Sequence, residues 1–140
     1  MKIEKIKVGM IESYSQTITD TDIKNFAGLS GDHNPIHVSD EYAEQSMFKR
    51  RIAYGMISAS FFSGLFGTKI PGYGCVYVSQ SINFKRPVYI GDTVSASIKV
   101  TSVDMKNNRV FFDTVCTVKG KVVIDGAAEL YVPNKKNRKV

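Results

Sequence analysis

The pattern of apolar and polar positions changes at about residue 73, from a mixed first part to a strand-like second part. In the second part apolar residues recur at every second position, which is the period of a β-strand with one buried face. Three runs show this alternation, at 76–84, 94–100 and 110–118. Asn107-Asn108 and Lys119-Gly120 separate the later runs as hairpin turns, so we expect an antiparallel meander that ends with 121–132.

The first part of the chain is predicted to contain one short strand and two short helices. The strand covers 11–18. Thr19 is a candidate N-cap for the first helix, with Asp22 three residues later in a weaker form of the capping box. Ser39 can cap a second short helix over 40–46.

The segment 55–67 is apolar or small at nearly every position and carries no formal charge, which predicts a helix that is buried almost all round. Its small residues would let the backbone of a sheet approach closely; they are Ala59, Ser60, Ser63 and Gly64. One apolar helix followed by a long antiparallel sheet favours the α+β hot-dog fold, in which the sheet wraps the helix. The pattern alone also permits other arrangements of a helix on a sheet.

Length and charge indicate one domain over residues 1–133 and a short basic tail over 134–140. A chain of 140 residues can bury one substantial core but is too short for two ordinary domains. The tail contributes four of the six net positive charges, and such a tail is typical of a flexible, solvated end. The remaining surface is too weakly basic to predict a nucleic-acid partner.

The sequence also predicts a cytoplasmic protein without a membrane partner. It contains neither a basic and then apolar leader nor an apolar run of membrane-spanning length. Cys75 and Cys116 lie far apart inside predicted strands, without the spacing of a zinc or redox site. We expect both to be reduced, buried thiols.

The segment 31–37 places a carboxylate, Asp32, and an imidazole, His37, five positions apart. Because Pro35 lies between them, we expect a stiff, irregular loop that presents both side chains to one water molecule, as acid–base chemistry requires. A purely structural Asx-turn with a His–carboxylate bond is an alternative. A metal site that includes His33 is less favoured, because the proline spoils the helical face; no metal is expected.

The residues from Phe26 to His37, followed by Tyr42 and Ala43, resemble the signature loop of the MaoC-like, (R)-specific enoyl-CoA hydratases. The resemblance extends over nearly the whole chain, through 54–59, 64–68, 71–72, 83–84, 87–88 and 91–92. It implies a hot-dog domain that forms a homodimer with active sites at the interface. The implied enzyme is a hydro-lyase that reversibly converts trans-2-enoyl-CoA to (R)-3-hydroxyacyl-CoA. Coenzyme A is then the carrier of the substrate, and no cofactor is expected.

Hydration of an unsaturated thioester needs groups that move protons and a donor for the thioester oxygen. The resemblance implies that Asp32 and His37 form the catalytic dyad, and which of them carries each proton stays open. Asn34 can orient the loop or the water with its amide. Gly55 is the expected oxyanion donor, because it begins the buried helix and has no Cβ to block a thioester.

The residues that bind substrate are predicted less firmly from their positions. Lys49, Arg50 and Arg51 precede the buried helix and could reach the phosphates of coenzyme A, although such runs are often solvated turns. Ser63 and Phe66 are candidates for the floor of the acyl pocket, although most such residues are simply core. Because Phe66 is bulky, its presence in the pocket would favour short acyl chains.

Three other functions are compatible with this reading. A 3-hydroxyacyl-ACP dehydratase would run the same step in reverse and dock an acidic carrier protein on a basic rim. An acyl-CoA thioesterase of this fold commonly has an acidic residue on the central helix, and 55–67 contains none. A non-catalytic acyl-CoA-binding protein usually has a DNA-binding or membrane-binding segment beside the fold, and none is evident.

Overall fold

Six strands form one antiparallel sheet in the computed structural model, which describes residues 1–134. The strands are β1 (Ile11–Thr17), β2 (Val76–Gln80), β3 (Asn83–Phe84), β4 (Thr93–Asp104), β5 (Arg109–Val118) and β6 (Lys121–Tyr131). The helices are α1 (Asp20–Ser30), α2 (Pro35–Val38), α3 (Asp40–Glu44) and α4 (Gly55–Thr68). The order of strands is β1-β4-β5-β6-β2, and β3 also pairs with β6. Of the predicted basic tail, all but Asn134 lies outside the described residues.

The predicted meander is confirmed in β4, β5 and β6, which are consecutive antiparallel neighbours joined by the two predicted turns. Inward positions of β4 are fully buried and alternate with more exposed ones; the inward residues are Val94, Ala96, Ile98 and Val100. This alternation is what one-sided burial of an antiparallel strand requires. The alternation of apolar and polar residues in the sequence therefore predicted the buried face of β4 correctly.

Helix α4 packs on the inner face of the sheet, mainly against β4 and also against β1, β5 and β6. Its buried side chains join the inward residues of the sheet in one core, with Phe62 and Phe66 the largest of them. Shifts of register between Val100 and Ser102, and between Cys116 and Thr117, mark irregularities of the bulge type that help a sheet curve. The fold is the predicted α+β hot-dog fold.

The exposed side of α4 differs from the prediction. Ser60, Ser63 and Gly64 are exposed, and no atom lies within 4 Å of the place where a Cβ on Gly64 would stand. The sheet backbone does not approach these small residues; the large side chains of the opposite face fill the core instead. Helix α4 is therefore buried on one side and open on the other.

The predicted strand over 76–84 is divided into β2 and β3. The chain leaves the ladder at Ser81, whose carbonyl oxygen lies over Gly126 of β6, only 1.9 Å from where a Cβ would be. A glycine at this point is what allows the two backbones to approach so closely. Both faces of β2 are largely exposed.

The helix caps were predicted well. Thr19 and Asp22 form a complete capping box at the start of α1, with each side chain accepting a backbone N–H of the other residue. The Ser39 side chain accepts the N–H of Tyr42 at the start of α3. The predicted end of this helix at residue 46 is two residues too late, since α3 ends at Glu44.

The two cysteines are free, but only one matches the expectation fully. Cys116 is buried in β5, and burial raises the pKa of its thiol to about 12. Cys75 is half-buried and precedes β2 rather than lying in a strand. Among residues 1–134, no helix has the length and apolar character needed to cross a membrane.

Candidate active site

The segment that carries His37 is a single helical turn, α2, and the prediction of an irregular loop is wrong for residues 35–38. Proline is tolerated at the first position of a helix, where its missing N–H would have had no partner. Asn34 caps this turn, because its Oδ1 accepts the N–H of Ile36 at 3.3 Å. Asn34 therefore orients the turn, which is one of the two roles predicted for it.

Asp32 lies on an exposed bend directly after α1, whose C-cap residue Gly31 has a left-handed φ of 77°. Its Oδ1 accepts the N–H of Asn34 at 3.0 Å, and its own N–H donates to Ser30 Oγ at 3.1 Å. The Asx-turn that the sequence suggested is therefore present. The turn engages one carboxylate oxygen and leaves the other for a water molecule.

His37 has its ring fixed by the main chain rather than by a carboxylate. Its Nδ1 lies 2.7 Å from the carbonyl oxygen of Ile52. A carbonyl can only accept, so Nδ1 carries the hydrogen, and a neutral ring then has its lone pair on Nε2. The His–carboxylate bond of the structural alternative is not formed at Nδ1, and His37 is set up to act as a base through Nε2.

Tyr54 touches both Asp32 and His37, the predicted dyad, and was given no role from the sequence. Its hydroxyl donates to the main-chain oxygen of Asp32, and its ring centroid lies 4.0 Å from that of His37. Only 2% of the residue is exposed. Burial, and then the charge of Asp32, raise the pKa of the Tyr54 phenol. The sequence signals were its place immediately before Gly55 and its inclusion in the family resemblance over 54–59.

Gly55 begins α4, and Tyr54 at the N-cap makes no side-chain capping bond. The first N–H groups of a helix have no partner within it. The N–H of Ile57 donates to the main-chain oxygen of Tyr54, so the N–H groups of Gly55 and Met56 are the ones open to an acceptor outside the helix. Gly55 and His37 line the same cavity, of about 290 Å³. Asp32 does not line this cavity and is connected to it through Tyr54.

The absence of a side chain at Gly55 has a second cause besides access for a thioester. A Cβ at this position would lie 2.4 Å from Cε1 of Phe84, far inside van der Waals contact. The ring of Phe84 therefore covers the start of α4 and lines the cavity as well. Phe84 belonged to the family resemblance, but the sequence did not reveal this contact.

The cavity that contains His37 and Gly55 has two basic residues in its wall, Lys85 and Arg86. Arg86 is held by a hydrogen bond from its guanidinium to the main-chain oxygen of Val122. Lys85 was not predicted as a site residue. It follows Phe84 directly, but nothing in the sequence distinguished it from other surface lysines.

The predicted phosphate-binding role of Arg51 is wrong. Its side chain is only 14% exposed and forms ion pairs at 2.8 Å with Asp20 and Asp40, which lie at the starts of α1 and α3. Arg51 also donates to the main-chain oxygen of His37 at 3.3 Å. Its charge is thus used within the protein, where it joins three helices.

The other two predicted basic residues remain on the surface. Lys49 is exposed, in a left-handed backbone conformation with φ of 66°. The guanidinium of Arg50 lies 4.0 Å from the ring centroid of Tyr89. Neither Lys49 nor Arg50 lines the cavity that contains His37 and Gly55.

A second and more open cavity, of about 580 Å³, lies along the exposed side of α4. Ser63 lines it, together with Met56 on the first turn of the helix and Tyr77 of β2. Phe66 does not line it. That ring is 1% exposed and packs against Tyr77 and Phe112 in the core, so its predicted place in the pocket is wrong.

The arrangement supplies the chemical groups for adding water across a double bond that is conjugated with a carbonyl. His37, whose Nδ1 is engaged by a carbonyl, and Gly55, at the start of a helix without a side-chain cap, line one cavity. A carboxylate lies on the adjacent bend and is tied to both by Tyr54. Positive potential at the start of α4 favours charge that develops on an oxygen bound there.

Comparisons with known proteins agree with this chemistry. The family model described as "MaoC like domain" matches residues 4–127. An (R)-specific enoyl-CoA hydratase from Rhodospirillum rubrum is 52% identical over 130 residues, which cover 93% of this chain and 90% of that protein. A 3-hydroxybutyryl-CoA dehydratase from Methylorubrum extorquens is 39% identical and covers 94% and 84% of the two chains. The solved (R)-hydratase from A. caviae superimposes with a TM-score of 0.91, at 34% identity and 93% and 99% coverage.

Proposed function

Because the chain belongs to the MaoC-like domain family, we propose that it is an (R)-specific enoyl-CoA hydratase. The enzyme is then a hydro-lyase that reversibly adds water to trans-2-enoyl-CoA and yields (R)-3-hydroxyacyl-CoA. One observation carries the proposal most directly. A histidine whose tautomer is fixed, His37, and the first residue of the uncapped helix α4, Gly55, line a single cavity.

In the proposed mechanism a water molecule lies between the Asp32 carboxylate and Nε2 of His37. One member of the dyad removes a proton while the water oxygen bonds to the β-carbon. The electrons of the double bond shift toward the thioester, and the α-carbon then receives a proton from the dyad. The sum is one water added across the double bond, with the dyad returned to its starting protonation.

Negative charge on the thioester oxygen is accommodated at the start of α4. We assign the N–H of Gly55 as the donor, since the helix dipole adds to the hydrogen bond at this point. Gly55 has no side chain between its amide and the cavity that also holds His37. The double bond of the substrate would then lie between the dyad and the helix.

The two cavities suggest how the substrate lies. Gly55 lines the first cavity and the next residue, Met56, lines the second, so the thioester at the helix start can send its acyl chain along α4. The opposite end of the substrate, with the phosphates of coenzyme A, would pass Lys85 and Arg86. This replaces the predicted phosphate contact by Arg51.

We still propose a preference for short acyl chains, but the reason is no longer a bulky Phe66 in the pocket. The acyl cavity contains Tyr77 and Gln80, whose side chains are hydrogen-bonded to each other, and Gln80 also donates to Thr114 at 2.8 Å. Burial raises the pKa of the Tyr77 phenol to about 12. A long alkyl chain would have to lie against this fixed polar pair, which is unfavourable.

We also propose a homodimer, through the open edge of the sheet at β2, and a cytoplasmic location. The edge strand exposes three apolar side chains, Val76, Tyr77 and Val78, and such an edge invites pairing with another strand. The free thiols of Cys75 and Cys116 suit a reducing compartment.

A 3-hydroxyacyl-ACP dehydratase is the second candidate, because basic residues at the mouth of the catalytic cavity suit an acidic carrier protein as well as coenzyme A. Side-by-side rates on the two thioesters of the same acyl group separate the candidates. We expect a higher kcat/KM on the CoA thioester. A clear preference for the carrier-protein thioester would favour the dehydratase.

Replacing Asp32 with asparagine tests the proposed function. The rate of crotonyl-CoA hydration, monitored as the decrease in enoyl absorbance, should fall at least about 100-fold. Acid–base catalysis contributes rate factors of this size. The thermal midpoint should hardly change, because an asparagine oxygen can also accept the N–H of Asn34. His33→Gln, at an exposed neighbouring position, is the control and should keep full activity. Hydration by D32N at the wild-type rate would refute the mechanism.

A further inference from the structure

Tyr54 stands where the three proposed reactive groups converge. Its hydroxyl reaches Asp32, its ring lies on His37, and its main chain leads directly into Gly55. We propose that Tyr54 is a positioning residue that holds the dyad in a fixed relation to the start of α4. The assignment rests on the proposed hydratase function and adds a residue through which the dyad and the oxyanion donor are coupled.

Asp32 depends on Tyr54 for its place in the fold. Its other hydrogen bonds among the described residues are local and connect it only with Ser30, the last residue of α1, and with Asn34. The bond from the Tyr54 hydroxyl crosses 22 positions of sequence and joins the bend to the N-cap of α4. Because Asp32 is exposed, burial does not hold it in place.

His37 is restrained on two sides by the same segment of chain. The Ile52 carbonyl fixes its Nδ1, and the Tyr54 ring lies against the imidazole at an interplanar angle of 34°. Phe26 of α1 packs on Tyr54 in turn, with ring centroids 4.8 Å apart. The tyrosine is therefore held between α1 and α2 and can transmit the rigidity of the core to the dyad.

The two parts of the tyrosine should make separable contributions. The hydroxyl determines where the Asp32 bend sits, and the ring determines how the imidazole faces the cavity. A displacement of reacting groups by about 1 Å can cost about 100-fold in rate. Loss of the hydroxyl alone should therefore reduce turnover, and loss of the ring as well should reduce it further.

The test compares Tyr54→Phe and Tyr54→Leu with the wild type in hydration of crotonyl-CoA. We expect Tyr54→Phe to lower kcat about tenfold and Tyr54→Leu about 100-fold, with KM changed less than about twofold in Tyr54→Phe. Tyr131→Phe, on β6 and away from the site, is the matched control and should keep the wild-type kcat. A purely structural role predicts a lower thermal midpoint without a lower kcat per folded molecule, and that result would overturn the proposal.

A second measurement is independent of activity. The chain has two histidines, so the ring signals of His33 serve as an internal reference in NMR spectra of His37. Tyr54→Leu removes a ring that lies 4.0 Å from the His37 imidazole, so it should shift the His37 signals by more than those of the exposed His33. If the wild type hydrates crotonyl-CoA and D32N does not, a wild-type kcat in Tyr54→Phe overturns the role of Tyr54 alone. If the wild type is inactive, the hydratase function fails, while unshifted His37 signals would still refute the positioning contact.

Discussion

At the scale of single residues, the site depends on contacts that fix the tautomer, orientation or position of otherwise ordinary side chains. His37 differs from the exposed His33 because the Ile52 carbonyl selects its tautomer and Tyr54 selects its orientation. Asp32 differs from other surface carboxylates because its bend is tied to the N-cap of α4. These partners are main-chain atoms and an aromatic ring, so the chemistry of the dyad is set by its surroundings as much as by its own groups.

Gly55 allows the steric and the catalytic roles of a residue to be separated. Gly55→Ala should destabilise the fold by only about 1 kcal/mol, because the half-exposed Phe84 ring that meets the new Cβ can turn away. The same Cβ would crowd the amide that we propose as the donor to the thioester oxygen, so we expect hydration to fall at least about tenfold. Chemical denaturation and the crotonyl-CoA assay measure the two effects.

The matched control for this substitution is the double variant Gly55→Ala with Phe84→Ala. Removal of the ring relieves the clash at the start of α4, so a large part of the lost free energy of unfolding should return. The packing that Phe84 itself provides is lost in this variant and reduces the recovery. Activity should stay low. Recovery of full activity in the double variant would show that Gly55 serves packing against Phe84 and not the oxyanion.

At the scale of elements, three short helices are arranged around the side chain of Arg51. It pairs with Asp20 on α1 and Asp40 on α3, and it donates to the last residues of α2 through the His37 carbonyl. The one-turn α2 has no buried residue of its own, so these contacts replace the core that normally fixes a helix. Helix α4, in contrast, is fixed by packing and has no acidic residue of the kind a thioesterase would use.

Arg51→Met should lower the thermal midpoint at neutral pH more than Arg109→Met, which removes a pair with Glu129 far from these helices. The pKa of Asp20 is lowered by its hydrogen bonds to Lys24 and then to Arg51. A carboxyl with a lowered pKa stabilises the fold above its ordinary pKa of about 4, and this stabilisation is lost as the pH falls through the folded value.

The difference in midpoint between wild type and Arg51→Met should therefore shrink between neutral pH and about pH 3. Thermal unfolding followed by circular dichroism across this range measures the difference directly. A gap that is constant with pH would mean that Arg51 acts through packing of its aliphatic stem and not through its ion pairs.

At the scale of the whole molecule, the sequence predicted most of what depends on local patterns. The alternation in β4 reported its buried face, and Thr19 and Ser39 were recognised as helix caps because capping acts over three residues. Contacts between distant segments were not predictable in this way. In the sequence Arg51 looks like a surface cation, because its partners Asp20 and Asp40 approach it only in the folded chain. The sequence also could not show which side of α4 faces the sheet.

The interface is the other property of the whole molecule that can be tested. Val76 is 50% exposed on the open edge of β2 and lines neither of the two site cavities. If the protein pairs through this edge, Val76→Lys should dissociate the dimer at concentrations where the wild type remains associated. Sedimentation equilibrium measures this, with Val8→Lys, on an exposed turn outside the sheet, as control. Equal association of both variants would place the interface elsewhere.

The most direct test of the central claim is the configuration of the product formed from crotonyl-CoA. The purified protein should hydrate this substrate to (R)-3-hydroxybutyryl-CoA, identified by chiral chromatography after hydrolysis of the thioester. A single enantiomer is expected if Asp32 and His37 deliver water to one face of a double bond whose thioester is held at Gly55, and (R) is the configuration that the proposed function predicts. Formation of the (S) enantiomer, or release of free coenzyme A without hydration, would contradict the proposed function.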